Sequence, residues 1–146
     1  MKKLFELTVA ESSKFIKTRE ISPVELVNSL LERIDILDPQ LKAWVYLDKE
    51  SSLDQAKRYE QDFDNRETIP LLYGVPVGLK DIYHNAGIPT VAGSKLYSDY
   101  IPEYDATTVV RLKQAGAIIL GKTVTTEFAC MDPSPTANPW NKSHTP

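Results

Sequence analysis

The second half of the chain contains an apolar segment, a helical segment and a second apolar segment in succession. Residues 71–79 are apolar and rich in glycine and proline, residues 105–116 have the pattern of a capped helix, and residues 117–120 have that of a buried strand. This order predicts a crossover unit whose two strands share one sheet. Because Pro76 cannot donate to a sheet ladder, we expect the first strand at an edge or irregular. The predicted fold class is α/β, with a mixed or parallel sheet covered by helices.

The N-terminal half carries two helix start signals. Thr8 and Glu11 have the spacing of a capping box, and residues 22–25 combine a serine cap, a proline at the first helical position and a glutamate. Apolar residues repeat at helical spacing over residues 24–37, and the Asp38-Pro39 pair is expected to end that helix.

A short strand is predicted over residues 44–47, followed by an amphipathic helix around residues 53–59. The helical pattern ends in the polar stretch 61–68, which is the best candidate for a boundary between two segments of the chain. We therefore predict a helical segment of residues 1–66 that packs on the core, and the α/β core itself in residues 67–146.

Charge and composition exclude several classes of function. The 146 residues include 17 Lys and Arg against 20 Asp and Glu, without a basic block that could neutralise a run of phosphates. Nucleic acid as the main ligand is therefore disfavoured. We find no export signal and no apolar run of membrane-spanning length, so no membrane association is expected and the predicted location is the cytoplasm. The single cysteine and the spacing of Cys and His give no metal site.

Residues 116–123 read Gly-Ala-Ile-Ile-Leu-Gly-Lys-Thr and match the phosphate-loop pattern letter by letter. Such a loop must curl so that successive N–H groups point inward, whereas Ala-Ile-Ile-Leu favours a buried strand. A helix also precedes the glycine where a strand is needed. We interpret the match as false, with Lys122 at the end of a strand.

Cys130 is a candidate nucleophile, with His84 or His144 as the base, or with Glu127 and a lysine. The competing interpretation is a small, buried apolar residue. Both histidines lie in loop-like contexts, where a surface or hydrogen-bonded role is favoured.

Lys80 follows an apolar segment and precedes Asp81, which leaves two interpretations open. Lys80 could be a snorkelling lysine paired with Asp81. A lysine buried beside hydroxyls instead loses proton affinity and can act as a general base near neutral pH.

The tail contains prolines at positions 133, 135, 139 and 146, so neither a helix nor a paired strand is expected there. The tail is either a solvated arm or part of a longer protein. Trp140 favours the second interpretation, because a large aromatic side chain needs a surface to pack on.

Several of these elements together resemble the amidase signature family, in the family's order and over most of residues 8–146. The matching elements are the 22–25 helix start, Tyr73 to Asp81, Gly93-Ser94, residues 105–107, Gly116-Ala117, residues 121–123, Glu127-Phe128 and residues 138–141.

The resemblance implies a serine-dependent amidase that hydrolyses a carboxamide through a Ser–Ser–Lys triad, in which Lys80 is the general base. The family's glycine- and serine-rich loop and its nucleophilic serine would follow Pro146. We therefore expect an N-terminal fragment, inactive by itself. The resemblance implies no cofactor and no metal, a small-molecule amide as substrate, and a substrate pocket that includes Cys130, Met131 and Asp132. It is also compatible with a homo-oligomer.

Two alternatives stay open. The chain could belong to the A subunit of a glutamyl/aspartyl-tRNA amidotransferase, although the short proline-rich passage 132–136 looks more like that of stand-alone amidases. It could also be a non-catalytic interaction module.

Overall fold

The computed structural model of the chain describes residues 2–130 and 132–146. Over these residues the helices and strands are α1 (Val9–Lys17), α2 (Pro23–Leu41), β1 (Trp44–Leu47), α3 (Lys49–Asp62), β2 (Pro76–Lys80), α4 (Thr107–Gln114) and β3 (Ile118–Thr123). Short 3-10 turns lie at Leu4–Glu6, Phe63–Asn65, Lys95–Tyr97 and Glu127–Ala129. From α2 onward helices and strands alternate, and α4 lies between β2 and β3 as predicted, which confirms the α/β class.

Both predicted helix starts are confirmed by their capping hydrogen bonds. The Thr8 hydroxyl accepts from Glu11 N at 3.2 Å, and the Glu11 carboxylate accepts from Thr8 N at 2.8 Å. At α2 the Ser22 hydroxyl accepts from Glu25 N at 3.1 Å, and Ser22 N donates to the Glu25 carboxylate at 2.8 Å. Each box satisfies backbone N–H groups that have no partner within the helix.

The predicted end of α2 at Asp38-Pro39 is wrong, because the helix runs through Pro39 to Leu41. Proline removes one intrahelical hydrogen bond, a smaller loss in the last turn than in the middle of a helix. The Asp38 carboxylate closes this end, since its Oδ1 accepts from Ala43 N at 2.7 Å and from Trp44 N at 3.2 Å.

The strands form a three-stranded sheet in the order β1-β3-β2. β1 runs antiparallel to β3, with Tyr46 opposite Lys122. β2 runs parallel to β3, because Ile118 N donates to Val75 O at one end and Asp81 N donates to Thr123 O at the other. The sheet is therefore mixed, with α4 in the crossover, and among the described strands β2 lies at an edge, as Pro76 predicts.

Gly121 permits a very close approach between β3 and β1. Its φ is +155°, and a Cβ at this position would lie 2.1 Å from the Tyr46 carbonyl oxygen. The register shifts between Trp44 and Tyr46, on the facing strand. Because glycine has no Cβ, β3 can pair with the irregular strand β1 at this point.

Two compact units make up the chain. Unit 1 comprises Met1–Asp35, Asp48–Val77 and Arg111–Leu120, and unit 2 comprises Ile36–Leu47, Gly78–Val110 and Gly121–Pro146. The division into segments 1–66 and 67–146 stays a prediction.

The core of unit 1 contains Ile16, Leu26, Tyr73 and Val75. The ring of Tyr73 stacks on that of Tyr59 at a centroid distance of 4.5 Å, and its hydroxyl donates to Tyr59 O at 2.7 Å. Burial raises the pKa of Tyr73. The core of unit 1 thus contains an aromatic pair whose hydroxyl group also has a hydrogen-bond partner.

No described residue of the segment 132–146 lies in a helix or a strand, as its prolines predict. Trp140 is 94% exposed in this tail. Within the described part of the chain, no helix is long and apolar enough to cross a membrane.

Candidate active site

Lys80 is the last residue of β2, and its side chain is exposed. The expectation of a lysine buried beside hydroxyls is therefore wrong for the described residues. Its carbonyl accepts from Ile82 N at 2.7 Å and from Tyr83 N at 3.0 Å, so a tight turn follows the strand directly. Among residues 2–130 and 132–146, no hydrogen bond or ion pair engages the Lys80 ammonium. Lys80 therefore combines a fixed backbone with an amino group that is available to another molecule or segment.

The carboxylate of Asp81 is committed to a different lysine. Its Oδ1 lies 3.0 Å from Lys122 Nζ, and the two side chains are 2% and 0% exposed. Its Oδ2 accepts from Val91 N at 3.1 Å. The interpretation of Lys80 as the ion-pair partner of Asp81 is therefore wrong. Successive side chains of a strand point to opposite faces, so the nearest neighbour in sequence is not the nearest in space.

Lys122 is fully buried within β3, and sequence analysis missed its role. Besides the ion pair with Asp81, its ammonium donates to the Thr90 hydroxyl at 2.8 Å. The phosphate-loop pattern is thus a strand, as predicted, and its lysine neutralises a carboxylate of the same unit. The available signal was a lysine inside a strongly apolar strand, since a buried lysine requires a counter-charge.

Gly78 and Lys80 lie on the same face of β2, two residues apart. A Cβ on Gly78 would lie 2.9 Å from Trp44 Cη2 and 3.1 Å from Thr123 Cγ2. The glycine therefore makes room for the indole ring of Trp44 on the face that carries Lys80. Asp81 lies on the other face, where Lys122 is buried.

Two loops near the end of β2, residues 92–94 and residues 125–128, are held together by several close contacts. The buried Ser94 hydroxyl donates to Glu127 Oε1 at 2.6 Å, and Phe128 N donates to Ala92 O at 2.8 Å. Gly93 has a φ of +65°, and a Cβ on it would lie 2.9 Å from the carbonyl oxygens of Thr125 and Thr126. The resulting arrangement fixes the start of the segment that leads to Cys130.

A cavity of about 310 Å³ lies in unit 2 beside these loops. Its wall includes Asp81, Gly93, Ser94, Thr125 and Pro135. Because Asp81 follows Lys80 directly, the cavity adjoins the C-terminal end of β2.

The structure describes two of the three predicted pocket residues. Cys130 is exposed, so its interpretation as a small, buried apolar residue is wrong. The backbone explains the exposure, because Phe128 and Ala129 have positive φ values of 48° and 57° and redirect the chain just before the cysteine. Asp132 is also exposed, and Met131 lies outside the described residues.

The histidines do not assemble a cysteine-dependent site. His84 packs against the rings of Tyr100 and Tyr104 at centroid distances of 5.4 and 5.1 Å. His144 lies in the tail, where its backbone N–H donates to Asn141 O. Within the described residues, no hydrogen bond joins either ring to Cys130, and no group of three or more His, Cys, Asp or Glu side chains could hold a metal ion.

Comparison with known proteins gives relatives of two kinds. The A subunit of the glutamyl-tRNA(Gln) amidotransferase of Geobacter sp. (strain M21) is 39% identical over 149 aligned positions, and the putative amidase AmiD of Mycobacterium bovis is 38% identical over 140. These alignments include 98% and 93% of this chain but 30% of each relative. The chain therefore spans about a third or less of the length of these relatives.

Solved structures agree with this similarity. The peptide amidase of Stenotrophomonas maltophilia matches 96% of the chain with a TM-score of 0.85 and 30% identity, over 31% of its own length. A bacterial aryl acylamidase of the amidase signature family matches 99% of the chain with a TM-score of 0.89 and 25% identity, again over 31% of its length. The family model for Amidase matches residues 25–146. On this sequence match and this fold, the chain belongs to the amidase signature family.

Proposed function

We propose that the protein carrying this chain hydrolyses carboxamides to a carboxylate and ammonia or an amine, with Lys80 as the general base. The observation that carries the proposal is the state of two adjacent residues. The Asp81 carboxylate forms an ion pair with Lys122, whereas the amino group of Lys80 has no partner among the described residues. The Lys80 amino group is therefore open to a serine hydroxyl from another segment of the intact protein.

The catalytic step follows from the triad that the family resemblance implies. The nucleophilic serine oxygen attacks the amide carbon, and its proton passes to the bridging serine. The bridging serine gives its own proton to the neutral amine of Lys80, which later returns a proton to the leaving nitrogen as the C–N bond breaks. Water then hydrolyses the serine ester to release the carboxylate. Residues 1–146 supply the lysine, and the family's glycine- and serine-rich loop would supply the backbone amides for the oxyanion.

The segment around residue 130 is proposed as part of the substrate pocket. Its start is fixed by the hydrogen bond from Ser94 to Glu127, while Cys130 and Asp132 present exposed side chains. If this placement is right, Asp132→Ala raises the KM for a given amide and leaves kcat within about a factor of two. An unchanged KM for every amide tested would remove Asp132 from the pocket.

The test of the proposed function is ammonia release from aliphatic and aromatic carboxamides by the intact protein that contains this chain. We expect turnover in the wild type and a loss of about 10²- to 10⁴-fold in Lys80→Arg, because a guanidinium stays protonated and cannot accept the serine proton. Lys57→Arg, at an exposed position of α3, serves as the matched control. Retained activity in Lys80→Arg would remove Lys80 from catalysis.

An amidotransferase A subunit remains the second candidate, because an A subunit and an amidase are almost equally similar to this chain. Affinity purification from the native cell separates the two candidates. Stoichiometric recovery of a second protein together with tRNA would favour the amidotransferase, and recovery of the protein alone would favour the stand-alone amidase.

For the stand-alone amidase we propose a small-molecule amide as substrate, a cytoplasmic location and the capacity to form homo-oligomers. Light scattering of the intact protein measures the oligomeric state, and cell fractionation measures the location.

A further inference from the structure

We propose that the buried Lys122–Asp81 ion pair is a positioning device that sets the direction of the Lys80 side chain for catalysis. The inference rests on the proposed role of Lys80 as the general base. Lys122 and Asp81 lie on the face of the sheet opposite Lys80, so they act through the backbone of β2 and do not touch the reacting atoms.

The contacts form a short path from Lys122 to Lys80. Lys122 Nζ lies 3.0 Å from Asp81 Oδ1, and Asp81 N donates to Thr123 O at 3.0 Å. The residue after Lys80 is thus held to β3 twice, once through its side chain and once through its backbone. Rotation of the Lys80–Asp81 peptide would break both contacts.

A third element is held by the same carboxylate. Asp81 Oδ2 accepts from Val91 N at 3.1 Å, Asp81 O accepts from Ala92 N at 3.0 Å, and Lys122 Nζ donates to the Thr90 hydroxyl at 2.8 Å. Segment 90–92 is therefore fixed to the end of β2 by the backbone and side chain of Asp81, and to β3 by the side chain of Lys122. This segment continues into Gly93 and Ser94, which line the same cavity as Asp81.

The energetics of burial indicate a role beyond stability. Removing two charges from water is costly, and replacing a buried ion pair by uncharged residues of similar volume is often neutral or stabilising. What such a replacement loses is the fixed direction of a charged hydrogen bond. The pair also has an electrostatic effect, because Lys122 neutralises the one carboxylate adjacent to Lys80 in sequence.

The test separates positioning from stability in the intact protein. Lys122→Met removes the charge at similar volume, and the double variant Lys122→Met/Asp81→Asn removes both charges while keeping a side-chain oxygen for Val91 N. We expect Lys122→Met to lower both the melting temperature and kcat. In the double variant we expect the melting temperature to recover, while kcat stays about 10- to 100-fold below wild type with little change in KM.

A merely structural pair gives a different pattern, in which kcat recovers together with the melting temperature. Wild-type kcat in the folded double variant would overturn the inference, and so would a double variant that cannot fold, since the pair would then serve stability alone. Lys57→Met/Asp54→Asn removes an exposed ion pair on α3 and should change neither quantity. Lys80→Arg is measured in the same assays. An active Lys80→Arg variant would contradict the proposed function. An inactive Lys80→Arg variant together with a fully active double variant would contradict only the positioning role.

Discussion

Lys122 Nζ lies 3.0 Å from Asp81 Oδ1 in the interior of unit 2, so the aspartate that follows Lys80 in sequence pairs with a different lysine. The two lysines consequently have different environments on opposite faces of one sheet. Lys122 is buried and neutralised, and Lys80 is exposed with an amino group that none of the described residues engages. This division of roles underlies the proposals for both residues.

A polypeptide of residues 1–146 should hydrolyse no carboxamide by itself. A general base without the serine nucleophile of the triad cannot form the acyl-enzyme. Ammonia release from a panel of carboxamides, measured for this polypeptide beside its Lys80→Ala variant, should equal the uncatalysed rate in both. Turnover that disappears in Lys80→Ala would show that the nucleophile lies within these residues.

The phosphate-loop pattern at residues 116–123 should not bind ATP. Its lysine is buried and paired with Asp81, and its Ile-Ile-Leu stretch belongs to a strand. Calorimetric titration with Mg-ATP should therefore give no saturable heat. Saturable binding to the wild type that is lost in a folded Lys122→Met variant would contradict this prediction.

Gly121→Ala should destabilise the protein by about 1–3 kcal/mol or more, because the new methyl group would clash with the Tyr46 carbonyl oxygen. The measurement is the midpoint of urea unfolding. Gly87→Ala is the matched control, since Gly87 also has a positive φ but a Cβ added there would meet no heavy atom within 4 Å. Its expected cost is limited to the backbone strain of about 1–2 kcal/mol. Equal costs at the two positions would show that β1 moves away from β3 without penalty.

Glu11 should make the stability of the protein sensitive to acid. The hydrogen bond from the Lys2 ammonium, followed by those from Thr8, lowers the pKa of Glu11 from 4.5 to about 2. A carboxyl with a lowered folded-state pKa contributes stability above its unfolded pKa, and loses that contribution as the pH falls through the folded value. The advantage of wild type over Glu11→Gln should therefore be constant above about pH 4.5 and shrink between about pH 4.5 and pH 2.

Thermal melts of the wild type and Glu11→Gln over this pH range measure the difference. Lys2→Ala, which removes the largest cause of the pKa shift, should reduce the acid dependence of the wild type. A difference between wild type and Glu11→Gln that does not vary with pH would show that the hydrogen bonds to Glu11 contribute nothing to folding.

Local features were predictable from the sequence because their partners are near in the chain. The capping boxes at Thr8 and Ser22 depend on residues three positions apart, and strand 44–47 matches its predicted bounds. The edge position of β2 follows from the missing N–H of Pro76. One local prediction failed at Pro39, because the carboxylate of Asp38 supports the end of the helix two residues farther on.

Sequence patterns and the family resemblance were enough to predict the helix starts, the strand-helix-strand unit, the absence of a phosphate loop and Lys80 as the candidate base. The pairing of Asp81 with Lys122, the contact of Gly121 with the Tyr46 carbonyl and the exposure of Cys130 could be found only in the folded chain. These outcomes depend on strand register and on positive backbone φ angles, which bring together residues far apart in the chain and turn neighbours away from each other. Periodicity and spacing report which face a residue occupies, but the partner on that face is set by how the strands align.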